Sequence, residues 1–228
     1  MDKKEILEAI KELKKEDHKK NFSQSFDFQV KLQNIDVKKQ ENKVDVFVDL
    51  PHGRGRKVSV CALVGGTLYN DAKANCDRTI VQDEFKAMGG NTKELKKLAR
   101  SYDFFIAQAD IMGLVAGTFG RFLGPKGRMP NPKAGCVVAP KGSIKPVVEK
   151  LQNTVRLVVK NNELGVKCAV GTEKMDDEKV AENVLVVYNA LMNSLPQHEQ
   201  NIKNVYLKLT MSKPLSIGGK KWVSQKPM

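Results

Sequence analysis

Pro51-His-Gly-Arg-Gly-Arg-Lys-Val-Ser-Val-Cys-Ala-Leu-Val64 divides the chain into two styles of sequence. Its first part, Pro51 to Arg56, mixes proline, glycine and charge, the composition of a linker. Its second part, Val58 to Val64, is almost continuously apolar, as a strand buried on both faces must be. Upstream the pattern alternates. Phe26, Phe28, Val30 and Leu32, then Val44, Val46, Val48 and Leu50, occupy every second position, the period of a half-buried strand. The polar stretch Asp36 to Lys43 separates them, so the pair is expected to form an antiparallel hairpin with a long loop. Before them, Ile6, Ile10 and Leu13 share one face of a helix expected over Asp2 to Lys15.

Downstream, helices and strands alternate. The pattern predicts a helix over Leu68 to Ala74, a strand over Thr79 to Val81, and a helix over Thr92 to Ser101 capped by Thr92. A strand over Phe104 to Ala107, a helix over Asp110 to Phe122, and a helix over Ser143 to Gln152 capped by Ser143 follow. That rhythm predicts a small three-layer α/β domain. Past Thr154 the first style returns, with strands over Val155 to Val159, Val166 to Val170 and Val205 to Thr210. A long helix over Met175 to Leu195 carries Val180, Val184, Val187 and Leu191 on one face. The fold class expected is therefore α/β (α+β). Residues 1–52 and 153–228 would form a split two-layer α+β domain, and residues 53–152 an inserted α/β domain. Pro51, His52, Gly53 and Asn153 mark the two adjacent linkers, expected to act as a hinge. The basic tail from Gly218 to Met228 is expected to be disordered.

The chain carries 39 Lys and Arg against 26 Asp and Glu, a net charge of +13, with 41% hydrophobic residues. Such an excess calls for a polyanionic partner and sets no fold. No apolar run has the roughly 18 residues of a membrane span, and the charged start lacks the apolar stretch of a signal peptide, so a cytoplasmic protein is expected. Cys61, Cys76, Cys136 and Cys168 form no CxxC pair, which leaves no zinc or thioredoxin-like pattern. Cys61, Cys136 and Cys168 are expected to be buried thiols, and Cys76 more exposed. No metal and no cofactor is expected.

From Ile111 to Val148 there is no Asp or Glu. Arg121, Lys126, Arg128, Lys133, Lys141 and Lys145 stand there among glycines and prolines. Glycine lets backbone N–H groups approach phosphates, and proline limits the entropy lost on binding. A solvated crossover loop has the same composition, but unbroken positive charge favours nucleic-acid contact. A P-loop is excluded, because Lys126 is followed by Gly127 and not by a hydroxyl residue. Gly53 and Gly55 are similar to the start of a dinucleotide fingerprint, yet Val58 takes the third place and a strand follows, so no helix N-terminus receives a pyrophosphate. His18, His52 and His198 fit no catalytic pattern, and His52 reads as a hydrogen-bonding hinge residue. The sequence Leu209-Thr-Met-Ser-Lys-Pro214 reads as a strand running into a turn, which offers a hydroxyl, N–H groups and a thioether. Those suit ribose 2′-hydroxyls and the shallow RNA minor groove, but alone the signal is weak, and a core Met with turn Ser and Lys is the favoured reading of these residues by themselves.

Gly120-Arg-Phe-Leu-Gly-Pro-Lys-Gly-Arg-Met-Pro-Asn-Pro-Lys-Ala-Gly135 closely resembles the central signature of the L-one family of large-subunit ribosomal stalk proteins. Leu50-Pro-His-Gly-Arg-Gly-Arg56 and Val205 to Met211 are also similar to that family. Asn21-Phe-Ser-Gln-Ser-Phe26 and Phe105-Ile-Ala-Gln-Ala-Asp110 look most like its archaeal members. The resemblance covers nearly the whole chain in order. It implies a hinged pair of domains with a Rossmann-like insert that binds no nucleotide, and no enzyme. A nucleotide-dependent Rossmann-like enzyme is the rival reading, against which the missing phosphate fingerprint argues.

The resemblance further implies binding to the rRNA of the mobile stalk beside the tRNA exit site, with exit-site tRNA as a further partner. It also implies repression of translation through a similar element in the protein's own mRNA. No membrane or small-molecule partner is implied, and away from the ribosome a monomer is expected. The family's RNA surface carries over onto Phe22, Ser23, Thr210, Met211 and Ser212, with Lys167 and Lys174 beside them. Arg121, Lys126, Arg128 and Lys133 are the expected phosphate contacts of the insert. At Ser212 the family pattern has Gly.

Overall fold

The computed structural model describes residues 1–15, 20–35, 44–159 and 163–217. The expected loop from Asp36 to Lys43, His18 and the basic tail lie outside them. In chain order come α1 (Lys3–Leu13), β1 (Ser25–Leu32) and β2 (Asp45–Asp49). Next are β3 (Val60–Val64), α2 (Tyr69–Asn75), β4 (Arg78–Val81), α3 (Gln82–Gly89), α4 (Thr92–Ser101), β5 (Phe104–Gln108), α5 (Met112–Leu123), β6 (Val137–Val138) and α6 (Lys145–Asn153). The chain then returns through β7 (Thr154–Val158), β8 (Gly165–Thr172), α7 (Asp177–Ser194), β9 (Ile202–Leu209) and β10 (Leu215–Ile217). Two compact units result. One combines Met1–Arg56 with Asn153–Met228, and the other is Lys57–Gln152.

In the split unit, β10, β9, β1 and β8 form an antiparallel sheet in that order. The alternation of β1 turns Phe26, Phe28, Val30 and Leu32 inward, where they meet Ile6, Ile10 and Leu13 of α1 and Val180, Val184, Val187 and Leu191 of α7. Four fully buried large apolar side chains, at roughly 1.5–3 kcal/mol each, anchor β1 as a central strand. The expected β1–β2 hairpin does not form. β1 is hydrogen-bonded on both edges by β8 and β9, while β2 pairs with β7 in a separate two-stranded sheet. There Arg156 grips Asp45 through Nε and Nη2, both at 2.7 Å, and Thr154 donates to Asp49 at 2.6 Å. A bulge between Phe26 and Asp27 shifts the β1–β8 register, and Val170, Gly171 and Thr172 are buried in succession there.

In the inserted unit, β4, β3, β5 and β6 form a parallel sheet. Cys61 and Leu63 of β3 share a core with Phe85 of α3, Leu95 and Leu98 of α4, and Phe119 of α5. Val60, Ala62 and Val64 are buried on the opposite face. Helix α3 is absent from the sequence expectations. Only Phe85 and Met88 are buried in its eight residues, too few to set up a period. The cap of α4 is Asn91, whose side chain accepts from Glu94 N at 3.3 Å, and not Thr92. The last helix begins at Lys145. Asp71 Oδ2 accepts from Ile144 N at 2.7 Å, and the Ser143 hydroxyl turns to the same carboxylate at 3.5 Å, away from the capping position.

The linker glycines belong to the split unit. Gly53 (φ +64°) and Gly55 (φ +72°) adopt left-handed backbone, and a Cβ on Gly55 would stand 2.5 Å from Thr172 Oγ1. Glycine is therefore required at both positions. Asn183, fully buried on α7, donates to the carbonyls of Gly53 and Val170, each at 2.8 Å, and accepts from His52 N at 3.3 Å.

Candidate nucleic-acid interface

Strand order brings the start of β1 and the ends of β8 and β9 to one end of the four-stranded sheet. Phe26 pairs with Gly171 on one side and Leu209 on the other. Beyond Leu209, Thr210 to Ser212 turn. Ser212 Oγ accepts from Leu209 N at 2.8 Å, and Ser212 N donates to Leu209 O at 3.1 Å. Among the described non-glycine residues only Asn34 and His198 have positive φ, so Ser212 fits the turn without left-handed backbone.

The turn is tied to the residues before β1. Thr210 Oγ1 accepts from Ser25 N at 3.1 Å, and Gln24 Oε1 accepts from Met211 N at 3.1 Å. Gln24 is fully buried, and its backbone binds the third segment. Its carbonyl accepts from Glu173 N at 2.9 Å, and its N–H donates to Glu173 Oε2 at 3.3 Å. One glutamine thus joins three segments. Nothing in the sequence reading singled it out, since a polar residue next to a strand reads as solvent-facing.

Two large apolar side chains are left open beside this frame, Phe22 at 51% and Met211 at 65% of full exposure. Ser23 and Lys174 are exposed with them. Lys167 lies on the outward face of β8, in register with Gln29 of β1, which pairs with Tyr206 of β9. The outward row therefore runs Lys167, Gln29, Tyr206, with Asp27 opposite Lys208 one step along. Burial raises the Asp27 carboxyl above the usual carboxylate range, against the opposing pull of Lys208. An aromatic ring, a thioether, amide and hydroxyl groups and a few lysines suit a ribose-phosphate surface better than a charge-only contact does.

The basic residues of the insert are placed differently. Arg121 is exposed on the last turn of α5, and Lys133 is exposed in a short 3-10 turn at Pro132–Ala134. Arg128 is committed to the end of α4. Its Nη1 donates to the carbonyls of Ala99 (3.1 Å) and Arg100 (3.0 Å) and also to that of Tyr102, and Nη2 lies 3.9 Å from Asp103. These bonds satisfy carbonyls that the helix terminus leaves open. Lys126 Nζ is shielded from solvent and meets no acceptor among the described residues.

At the linker, Pro51 and His52 are exposed. His52 Nε2 lies 2.6 Å from Glu182 Oε2, which with Lys3 holds the Glu182 carboxyl below its ordinary range. Asn153 O accepts from Leu50 N at 3.0 Å. Burial pushes the thiols of Cys61 and Cys168 up to about 12 and that of Cys76 to about 11, which leaves them protonated at neutral pH. Among the described residues no group of His, Cys, Asp and Glu could hold a metal ion, and no helix is long and apolar enough to cross a membrane.

Two units, one inserted within the sequence of the other, and a basic chain with exposed aromatic and thioether groups at a sheet end suit nucleic-acid binding better than catalysis. Residues 13–213 match the profile described as the Ribosomal protein L1p/L10e family. The chain is 40% identical over 219 residues to the large ribosomal subunit protein uL1 of Pyrococcus abyssi, covering 96% of this chain and 97% of that one. Over 208 residues it is 40% identical to the uL1 protein of Methanothermobacter thermautotrophicus (91% and 95% covered). To that of Methanocaldococcus jannaschii it is 36% identical over 217 residues (95% and 96%). The chain belongs to the Ribosomal protein L1p/L10e family, a family of ribosomal proteins and not of enzymes.

Proposed function

We propose that the chain is a structural component of the large ribosomal subunit that binds the rRNA of the mobile stalk near the tRNA exit site. The contact surface is the end of the β10-β9-β1-β8 sheet with its outward face. The observation that carries this reading is the joining of Phe22 to Gln24, Glu173 to Lys174 and Thr210 to Ser212 through Gln24, with Phe22 and Met211 held open. Such a surface recognises folded RNA by shape and 2′-hydroxyls. The same surface serves repression of the protein's own mRNA, if that message presents a similar fold. Contact with exit-site tRNA follows from the proposed position on the ribosome. The hinge role of Pro51, His52, Gly53 and Asn153 belongs to the same reading.

Sedimentation of the tagged protein with large subunits tests the assignment. Co-migration is expected, and a protein found only in the free fractions would overturn it. Titration with stalk rRNA at several salt concentrations should give a log–log slope of several units, at roughly 0.7–0.9 per neutralised phosphate. A flat response would remove phosphate contact from the account.

A further inference from the structure

Helix α4 presents an unusual face. At about 100° per residue, Lys93, Lys96, Lys97 and Arg100 share about 100° of arc, opposite the buried side chains Leu95, Leu98 and Ala99. All four are exposed, and none forms an ion pair among the described residues. The acid of the helix, Glu94, lies off the stripe and is turned to Arg78 at 3.7 Å and to the Asn91 amide at 3.3 Å. Like charges three and four apart destabilise a helix, and Lys93 in the first turn also opposes the helix dipole. A merely solvated face has no need of either arrangement.

A second observation lies at the C-terminal end of the same stripe. Arg128 is bonded to the carbonyls of Ala99 and Arg100, which brings the loop after α5 against the end of α4. Lys126 comes with it, its ammonium shielded and without an acceptor among the described residues. Loss of water, then the neighbouring Arg100 and Arg128 charges, hold that ammonium below the ordinary lysine range. Three cations therefore converge where no carboxylate but that of Asp103, 3.9 Å from Arg128, is in reach among the described residues. An anion placed between them would relieve the repulsion and supply the missing acceptor.

We propose that the outward face of α4, ending at Lys126, is a second phosphate-binding surface that takes an RNA backbone without reading its sequence. It is separate from the sheet end and made of charge alone. Four cations spaced along two turns of helix suit a row of backbone phosphates, and the four side chains themselves offer neither a base-stacking ring nor an amide pair for a base edge. The surface therefore supplies affinity and salt dependence, and the sheet end supplies discrimination.

The test uses the full chain and a short RNA duplex of unrelated sequence, which lacks the folded stalk. The triple variant Lys93→Gln, Lys96→Gln, Arg100→Gln should weaken binding at low salt roughly tenfold and lower the log–log salt slope by about two units. Its melting temperature should stay level or rise, because like-charge pairs are removed, so a folding loss cannot imitate the effect. A control removes equal charge from α1 and the residues just after it (Lys4→Gln, Lys11→Gln, Lys15→Gln) and should change binding far less. Equal losses in the two triples would overturn the proposal in favour of net charge alone. Competition by poly-glutamate as effective as by RNA would overturn it in favour of an acidic protein partner. Affinity for stalk rRNA, measured alongside on Met211→Ala, reports on the sheet end independently. Failure of one reading therefore leaves the other standing.

Discussion

At the end of the four-stranded sheet, few charges stand on a dense frame of hydrogen bonds, and the bonded residues lie far apart in the chain. Ser25 and Thr210 are 185 positions apart. Along α4 and the loop after α5, many charges stand within a short stretch of sequence, and Lys93, Lys96, Lys97 and Arg100 have no ionic partner among the described residues. Geometry can be held to a fraction of an ångström by the first arrangement and only loosely by the second. Shape recognition needs the first, and long-range attraction is satisfied by the second. Basic composition therefore marks where a polyanion is attracted, which need not be where it is recognised.

The largest effect expected is on the buried Asn183, which ties the linker to β8 behind that frame. Asn183→Leu strands the buried carbonyls of Gly53 and Val170 and removes the acceptor of the part-buried His52 N–H, at a cost of about 3 kcal/mol. Thermal melts should show the split unit losing roughly 6–12 °C. An unchanged melting temperature would mean that the split unit tolerates loss of its buried polar bridges and is not held by them.

Next come the groups the frame presents. Thr210→Val and Met211→Ala should each cost about 1–3 kcal/mol of stalk-rRNA affinity, between a few-fold and about a hundredfold. Because Thr210 Oγ1 also accepts from Ser25 N, Thr210→Val is read together with a melt. Met211, being exposed, should bind less and melt normally. Parent-like affinity in both variants would leave the turn without a role and move the interface to the inserted unit.

Arg128 stands at the charged end of α4, where its bonds are to backbone carbonyls. Arg128→Ala should lower the stability of the inserted unit by about 1 kcal/mol through the lost contacts to the end of α4, with a loss of salt slope no larger than one neutralised phosphate gives, about 0.7–0.9. Arg128→Lys should not restore it, since one ammonium cannot reproduce the planar guanidinium fork. Affinity falling without any change in the denaturation midpoint would return Arg128 to the RNA surface. The smallest effect is expected at Lys133, exposed and peripheral. Lys133→Ala should lower affinity by less than about 0.5 kcal/mol and the salt slope by at most about 0.7–0.9. Parallel salt titrations of parent and variant measure both.

Long periodic elements were legible. Helices α4 and α7 and the apolar run of β3 follow from spacing alone, because burial imposes a period on a long segment. Strand partners were not legible. Alternation says which face of β1 is buried, and it is silent on whether β2, β8 or β9 lies beside it. Arg128 shows the limit of composition, since the letter alone does not reveal the bonds its guanidinium makes to the end of α4. Gln24 and Asn183 were missed for a related reason, as a lone polar residue reads as exposed until its partners are known. Asn183 did carry one signal: it follows Val180 by three, on the buried face of α7.

The separation of Ser25 from Thr210 also sets an order of events during synthesis. Residues 57–152 are contiguous and can fold while the rest of the chain is still being made, whereas β1 must wait for β9, its partner along one whole edge. The sheet end that joins Gln24, Glu173 and Met211 exists only after residue 211 has left the exit tunnel. A nascent chain stalled or cut short of that point would carry most of its positive charge and almost none of its selectivity. With RNA recognised at the sheet end as proposed, the topology would act as a proofreader of length, admitting to specific RNA only those molecules in which the last strand has closed upon the first.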